Sequence, residues 1–207
     1  MNREEMLRRL RVGEDPLDLS IEKWKDIIDS LQKIQHAWEF NENLEQGGGN
    51  CALCEKFGKV REGFPDCRCC PIYKETGAHN CLNTPYYEFG EALKEGNLSA
   101  MLYTAKRMLK LLEKIKTKNI ENILQSLDDK LKAGDKLSSD DLNQLIEIDR
   151  FAEEHNLPEL HEKVAKIIVS IEKTIPAEEV KLKEGEAKLG ENIVIRKRKD
   201  NMIVIER

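Results

Sequence analysis

Five of the chain's six cysteines fall between positions 51 and 70, and the sixth is Cys81. Metal ligation, disulfide bonding and redox exchange through free thiols all place cysteines this close together. Cys51 and Cys54 form one C-x2-C pair, and Cys67 and Cys70 form a second, with twelve residues between the pairs. A C-x2-C turn lets two thiolates reach one ion. Two such turns face to face supply four sulfurs near tetrahedral positions, the arrangement of a structural zinc site. The spacer is slightly shorter than the about 15–20 residues usual for paired motifs, and Gly58, Gly63 and Pro65 let it fold back. Cys51, Cys54, Cys67 and Cys70 are therefore the expected zinc ligands. Cys69 lies inside the second turn, where it competes with Cys67 and Cys70 for the same ion. His79 and Cys81 make a further candidate pair, and a pool this large suffices even for two ions. For His79 a solvated loop histidine is the plainer reading. Cys81 is balanced between ligand and small buried thiol.

The surroundings favour thiolates. In "CPIYKETG" Cys70 precedes a proline at the first helical position, and Gly77 follows the last turn. Cys70 thus sits at a helix start, where partial positive charge lowers a thiol pKa. Lys56, Lys59, Arg61, Arg68 and Lys74, against Glu55, Glu62, Asp66 and Glu75, moderate the excess charge of four thiolates on a divalent ion. A second helix start follows at Thr84-Pro85. Tyr86, Tyr87 and Phe89 after it are expected in the core, where they also cover the metal. An iron–sulfur cluster on four of the six cysteines is the alternative cofactor, because such clusters also take four thiolates. A thioredoxin-like pair would sit beside a βαβ pattern, which this stretch lacks. No G-x-S-x-G, P-loop, H-E-x-x-H or dinucleotide fingerprint occurs, so no catalytic role is assigned.

The ordered string "NCALC", "CP", "TG" and "CLNTPY", preceded by a helix with "EKW" and followed by "AKRMLKLLEKI", resembles an uncharacterised cysteine-motif protein family of phages, archaeal viruses and related mobile elements. The resemblance covers roughly residues 20 to 115. It implies that Cys51, Cys54, Cys67, Cys70 and Cys81 are the motif cysteines, and it implies no activity. Cys69 departs from the pattern, and everything after residue 120 lies outside it.

Helices must position these thiols. Residues 2 to 11 read as a short basic helix ended by Gly13 and Pro16. Ser20 reads as the N-cap of a helix through Trp38, with Ile21, Trp24, Ile27, Ile28, Leu31, Ile34 and Trp38 on one stripe. The polar run Asn41 to Gln46 and Gly47-Gly48-Gly49 then lead into the cysteine segment. Leu98, Met101, Leu102, Ala105, Met108, Leu109, Leu112 and Ile115 mark a second helix. Ile120, Ile123, Leu124, Leu127 and Leu131 mark a third, after a break expected around Thr117 to Asn119. Ser138 with Asp141 resembles a capping box, and Pro158 opens a last helix whose Leu157, Leu160, Val164, Ile167, Ile168 and Ile171 face inward. From Pro176 the residues alternate in the manner of strands. A turn at Lys199-Asp200-Asn201 would join Asn192 to Arg198 with Met202 to Arg207, and the segment near Val180 to Leu182 is a candidate third strand. The expected fold is mainly α, a helical bundle or set of hairpins with an irregular zinc-binding segment and a small C-terminal antiparallel β ribbon. Its parts are N-terminal helices (1–46), the cysteine segment (47–96), a helical bundle (97–175) and the ribbon (176–207).

The 207 residues are 35% charged and 5% aromatic, a composition suited to a largely helical globular protein. Abundant Lys, Glu and Ile match the ion-pair-rich surfaces of thermophile proteins. No apolar run of membrane-spanning length occurs, and the first residues lack the apolar centre of a signal peptide, so no membrane partner is expected and the cytoplasm is the expected location. The net charge of −5 argues against a chain-wide nucleic-acid surface. Locally, residues 97 to 118 carry six cations against Glu113, and the last twelve residues carry five cations against two acids. Residues 119 to 162 hold twelve acids against four bases, which would repel a polyanion. The function expected from these features is a non-enzymatic zinc-stabilised module that binds a protein partner. Nucleic-acid contact through Lys106, Arg107, Lys110, Lys114, Arg196, Lys197 and Arg198 is the further expectation, and an iron–sulfur or thiol redox protein is the competing class.

Overall fold

The computed structural model describes residues 1–40, 50–61, 64–135, 137–174, 186–189, 193–197 and 203–206. The chain is mainly helical and divides into two units, Met1–Thr117 and Lys118–Arg207.

The first unit begins with α1 (Arg3–Arg11), whose N-cap Asn2 accepts from the amide of Glu5. Helix α2 (Pro16–Lys33) carries the apolar stripe Leu17, Ile21, Trp24, Ile27, Ile28 and Leu31, all buried. Its start differs from the expected one. Asp15 is the N-cap, accepting from the amides of Leu17 and Asp18, and Pro16 occupies the first helical position. Pro16 opens this helix because its missing amide proton is not needed there. Ser20 is buried inside the helix, and its hydroxyl donates to the Pro16 carbonyl at 2.7 Å. The other end differs as well. The helix stops at Lys33, a 3-10 turn covers Ala37–Glu39, and Trp38 is 82% exposed instead of extending the buried stripe.

Short elements carry the cysteine segment: α3 (Ala52–Phe57), the two-stranded hairpin β1 (Lys59–Arg61) and β2 (Phe64–Asp66), α4 (Pro71–Thr76) and α5 (Pro85–Lys94). The hairpin register pairs Lys59 with Asp66 and Arg61 with Phe64. Helix α6 (Leu98–Lys132) then runs 35 residues without the break expected at Thr117 to Asn119. Leu17 to Leu31 of α2, Phe40, Leu53, Ile72, Phe89 and Met101 to Ile115 of α6 share one core. The N-terminal helices, the cysteine segment and the start of α6, which the sequence divides into separate parts, are therefore folded around common apolar contacts. Phe89 is completely buried, with its ring edge-on to Trp24 at 5.3 Å and to Phe40 at 6.2 Å.

The second core contains Ile120, Leu124, Leu127 and Leu131 of α6, Leu142, Leu145 and Ile148 of α7 (Ser139–Glu154), and Leu160 to Ile171 of α8 (Pro158–Thr174). The capping box is present: Ser138 Oγ accepts from the Asp141 amide, and the Asp141 carboxylate accepts from the Ser138 amide. Three short strands, β3 (Glu186–Leu189), β4 (Ile193–Lys197) and β5 (Ile203–Glu206), pair antiparallel in the order β3-β4-β5. The joint Gly47-Gly48-Gly49, Gly63, the Val180 to Leu182 segment, Arg198 and the turn Lys199-Asp200-Asn201 lie outside the described residues. No helix among the described residues is long and apolar enough to cross a membrane.

Candidate metal centre

Each thiol is placed by a chain reversal with a physical cause. Cys51 is the N-cap of α3, and Cys54 lies in the turn that follows. The helix ends at Gly58, whose amide donates to the Cys54 carbonyl at 2.7 Å. The hairpin β1–β2 returns the chain to Cys67, and Cys70 N–H donates to Cys67 O at 2.8 Å, closing the second cysteine turn. Cys70 is the N-cap of α4 with Pro71 next, and Gly77 ends that helix in the left-handed conformation (φ 70°). Thr84 is the N-cap of α5, but its buried hydroxyl does not cap that helix. It donates back to the Cys81 carbonyl at 2.7 Å, and the Thr84 amide reaches the same oxygen at 3.2 Å.

These reversals bring five cysteines to the lining of one cavity. Cys51, Cys54, Cys67, Cys70 and Cys81 line a cavity of about 410 Å3, together with Lys23, Trp24 and Ile27 of α2, Tyr86 of α5, and Met108 and Leu112 of α6. Cys69 and His79 do not line it. Cys69 is exposed, and the exposed His79 ring lies against Tyr73 with centroids 4.6 Å apart. Tyr86 edges on Trp24 at 6.4 Å, Phe89 lies in the core, and Tyr87 is exposed. All six cysteines carry free thiols.

The thiols are electrostatically unequal. A hydrogen bond from Cys54 holds the Cys51 thiol down to about 6 against the effect of burial, and the Lys23 ammonium acts in the same direction. Cys54 is pushed far up, first by giving that hydrogen bond and then by burial and the neighbouring sulfurs. Burial raises Cys70, and burial together with the charges of Cys51, Cys70 and Cys67 takes Cys81 to about 12. Without an ion, the Cys51 thiol is thus the most acidic of the shifted thiols, and Cys54, Cys70 and Cys81 are held toward the protonated form. A divalent cation inverts that order by deprotonating the thiols it coordinates.

The donors fit a soft or borderline metal. Sulfur alone, around a mostly apolar cavity, suits zinc or an iron–sulfur cluster and not a hard cation, which takes oxygen ligands. Among the described residues no three Cys, His, Asp or Glu side chains stand together as a finished ligand cluster. The sulfurs surround the cavity without closing on one point.

Lys23 is the residue the sequence reading passed over. It is 7% exposed, its ammonium donates to the Asn50 carbonyl, and its positive charge lowers the Cys51 thiol pKa. The signal was its place on the buried face of α2, one residue before Trp24 and four before Ile27. Asn80 is the other omission. Its side chain lines the cavity, and its Oδ1 accepts a weak hydrogen bond from the Cys67 thiol at 3.6 Å.

The cations expected to meet nucleic acid are only partly at liberty. Arg107 pairs with Glu88 and lies over the Tyr103 ring, and Lys114 pairs with Glu75 at 2.8 Å. Lys106 and Lys110 are exposed and make no ion pair among the described residues. Comparison with known protein families, with curated proteins and with solved structures finds no match to this chain.

Proposed function

We propose that the first unit is a zinc-stabilised, non-enzymatic binding module, in which one ion is held by four of the five thiols around the cavity. One observation carries this reading: chain segments from Cys51 to Cys81 bring five cysteines to the lining of a single mostly apolar cavity. Four thiolates complete the coordination of zinc, so such a site keeps no open position for water activation and serves structure. The two C-x2-C pairs, Cys51 with Cys54 and Cys67 with Cys70, are the ligand set drawn from sequence. The Lys23 ammonium offsets part of the excess negative charge of a four-thiolate centre. The motif string resembles that of an uncharacterised family of viruses and mobile elements, a resemblance that implies no activity of its own. A protein partner is the first expectation, and exposed Trp38 and Tyr103 offer aromatic contact area for one. Nucleic-acid contact is secondary. It rests on Lys106 and Lys110, and on Arg196, Lys197 and Arg198 as the basic residues of the C-terminal segment.

Elemental analysis of the purified chain with a visible absorption spectrum tests the reading. About one zinc per chain and no visible colour support it. Iron with sulfide absorption moves the module to the redox class, and metal-free protein without free thiols rejects both metals. Binding of an oligonucleotide across a salt series tests the secondary contact, since each neutralised phosphate steepens the slope.

A further inference from the structure

We infer that Cys81, and not Cys67, is the fourth ligand of the ion, with Cys51, Cys54 and Cys70 as the other three. The inference rests on the metal-module reading and names its ligand set.

The first argument is the backbone of the Cys81 loop. Asn80, Cys81 and Asn83 all take left-handed conformations, with φ of 52°, 56° and 58°. Asparagine tolerates that region, because its short polar side chain bonds locally, whereas cysteine has no such compensation. A strained residue persists only where its surroundings over-determine it. Here they do: the buried Thr84 holds the Cys81 carbonyl with both its amide and its hydroxyl, and the Leu82 amide closes onto the His79 carbonyl at 3.0 Å. The conformation leaves the Cys81 sulfur at the cavity while its neighbour Leu82 is 47% exposed. A thiol serving only as a small apolar group could be supplied from relaxed backbone, so the fixed left-handed turn matches a sulfur whose position matters.

The second argument concerns Cys67. Its thiol is directed to the side-chain oxygen of Asn80 on the exposed side of the site, a partner that competes with ligation. Packing alone does not separate the candidates: Cys70 is 6% exposed and belongs to the main core, while Cys51, Cys67 and Cys81 all lie against it. Cys51 and Cys54 leave α3 together, and Cys70 is held at the start of α4. Cys81 is thus the sulfur set by a doubly bonded, left-handed backbone, whereas the Cys67 thiol is already engaged by Asn80.

The test measures zinc per chain, and the absorption of the cobalt-substituted protein, for Cys67→Ser, Cys81→Ser and Cys81→Asn. Cys67→Ser is expected to keep about one ion per chain and the thiolate-to-cobalt absorption of the wild type. Both Cys81 variants are expected to bind zinc more than about tenfold more weakly. Cys81→Asn separates ligation from folding, because asparagine is the residue best suited to the left-handed turn and brings no thiolate. Far-UV circular dichroism confirms that it remains folded. Loss of metal from Cys67→Ser, or its retention by Cys81→Asn, overturns the inference. A metal-free wild type rejects the module reading itself.

Discussion

Gly58 gives the sharpest test of how the cysteine segment is held. A Cβ added there would lie 2.4 Å from the Cys54 carbonyl oxygen and 3.2 Å from its carbon. The obstacle is backbone, which cannot rotate away, and Gly58 itself has an ordinary negative φ of −78°. The glycine is therefore needed for close approach and not for handedness. Gly58→Ala must open the bond from the Gly58 amide to the Cys54 carbonyl, now 2.7 Å, which costs about 0.5–1.5 kcal/mol. Forcing the crowded turn apart adds roughly 1–3 kcal/mol, so the whole effect is about 1.5–4.5 kcal/mol. Urea unfolding in excess chelator reads this packing cost with the ion removed. A zinc-competition titration then reads the displacement of Cys54, expected as a loss of about tenfold or more. Gly134→Ala is the control: Gly134 has φ 80° and nothing within 4 Å of an added Cβ, so the change costs only the left-handed penalty of about 1–2 kcal/mol and leaves zinc affinity alone. A Gly58→Ala protein that unfolds at the wild-type urea midpoint refutes the reasoning.

Phe89→Ala should destabilise the first unit by about 3–5 kcal/mol, because the ring is fully buried between Trp24 and Phe40, and near-UV circular dichroism should report the loosened Trp24. Lys23→Met should weaken zinc binding by about 10–100-fold in chelator competition, since the buried Lys23 lines the same cavity and its charge favours the Cys51 thiolate; unchanged affinity would remove Lys23 from the site. Ser138→Ala should cost the second core about 1 kcal/mol in urea unfolding through loss of the capping box. Burial pushes the Asp141 carboxyl up, but Lys130 at 2.8 Å and the Ser138 hydrogen bonds outweigh it and hold the group below the usual range. Its contribution is therefore complete above the unfolded value of about 4 and lost as pH falls through the lowered folded value, a loss that Asp141→Asn should abolish in melts between pH 5 and 2.

The helical stripes were readable because burial repeats with the helical period, and Leu98 to Ile115 and Leu157 to Ile171 keep that period with few interruptions. Capping chemistry was equally plain at Ser138, Pro158 and Cys70-Pro71, where the side chains act on backbone within three residues. Errors arose where one residue type has two local meanings. Pro16 was read as a stop because proline cannot continue a helix, yet the same property suits it to begin one. The stretch from Thr117 to Asn119 reads as a break because Thr117 and Asn119 are modest helix formers, but deficits of roughly 0.5 kcal/mol each are small beside the apolar burial on either side. The spacing places Trp38 on a stripe whose helix ends at Lys33, five residues earlier. For the site, the C-x2-C turns drew attention to the segment, whereas the convergence of Cys81 depends on a left-handed turn hinted at only by Asn80 and Asn83. The position of Lys23 in the cavity depends on long-range packing, which spacing alone does not reveal.

The uninterrupted course of α6 bears on where the chain can be divided. Packing separates the two cores at Thr117 and Lys118, but the backbone ladder does not stop there. The amides of residues 118 to 121 bond to the carbonyls of 114 to 117, so a chain ended at Thr117 would bare four carbonyls beside Ile115, one of the core residues of the first unit. The costly first turn of a helix need form only once for both cores. Whichever unit folds first hands its neighbour a growing helical end, and that saving in nucleation links their folding even where their side chains form separate cores.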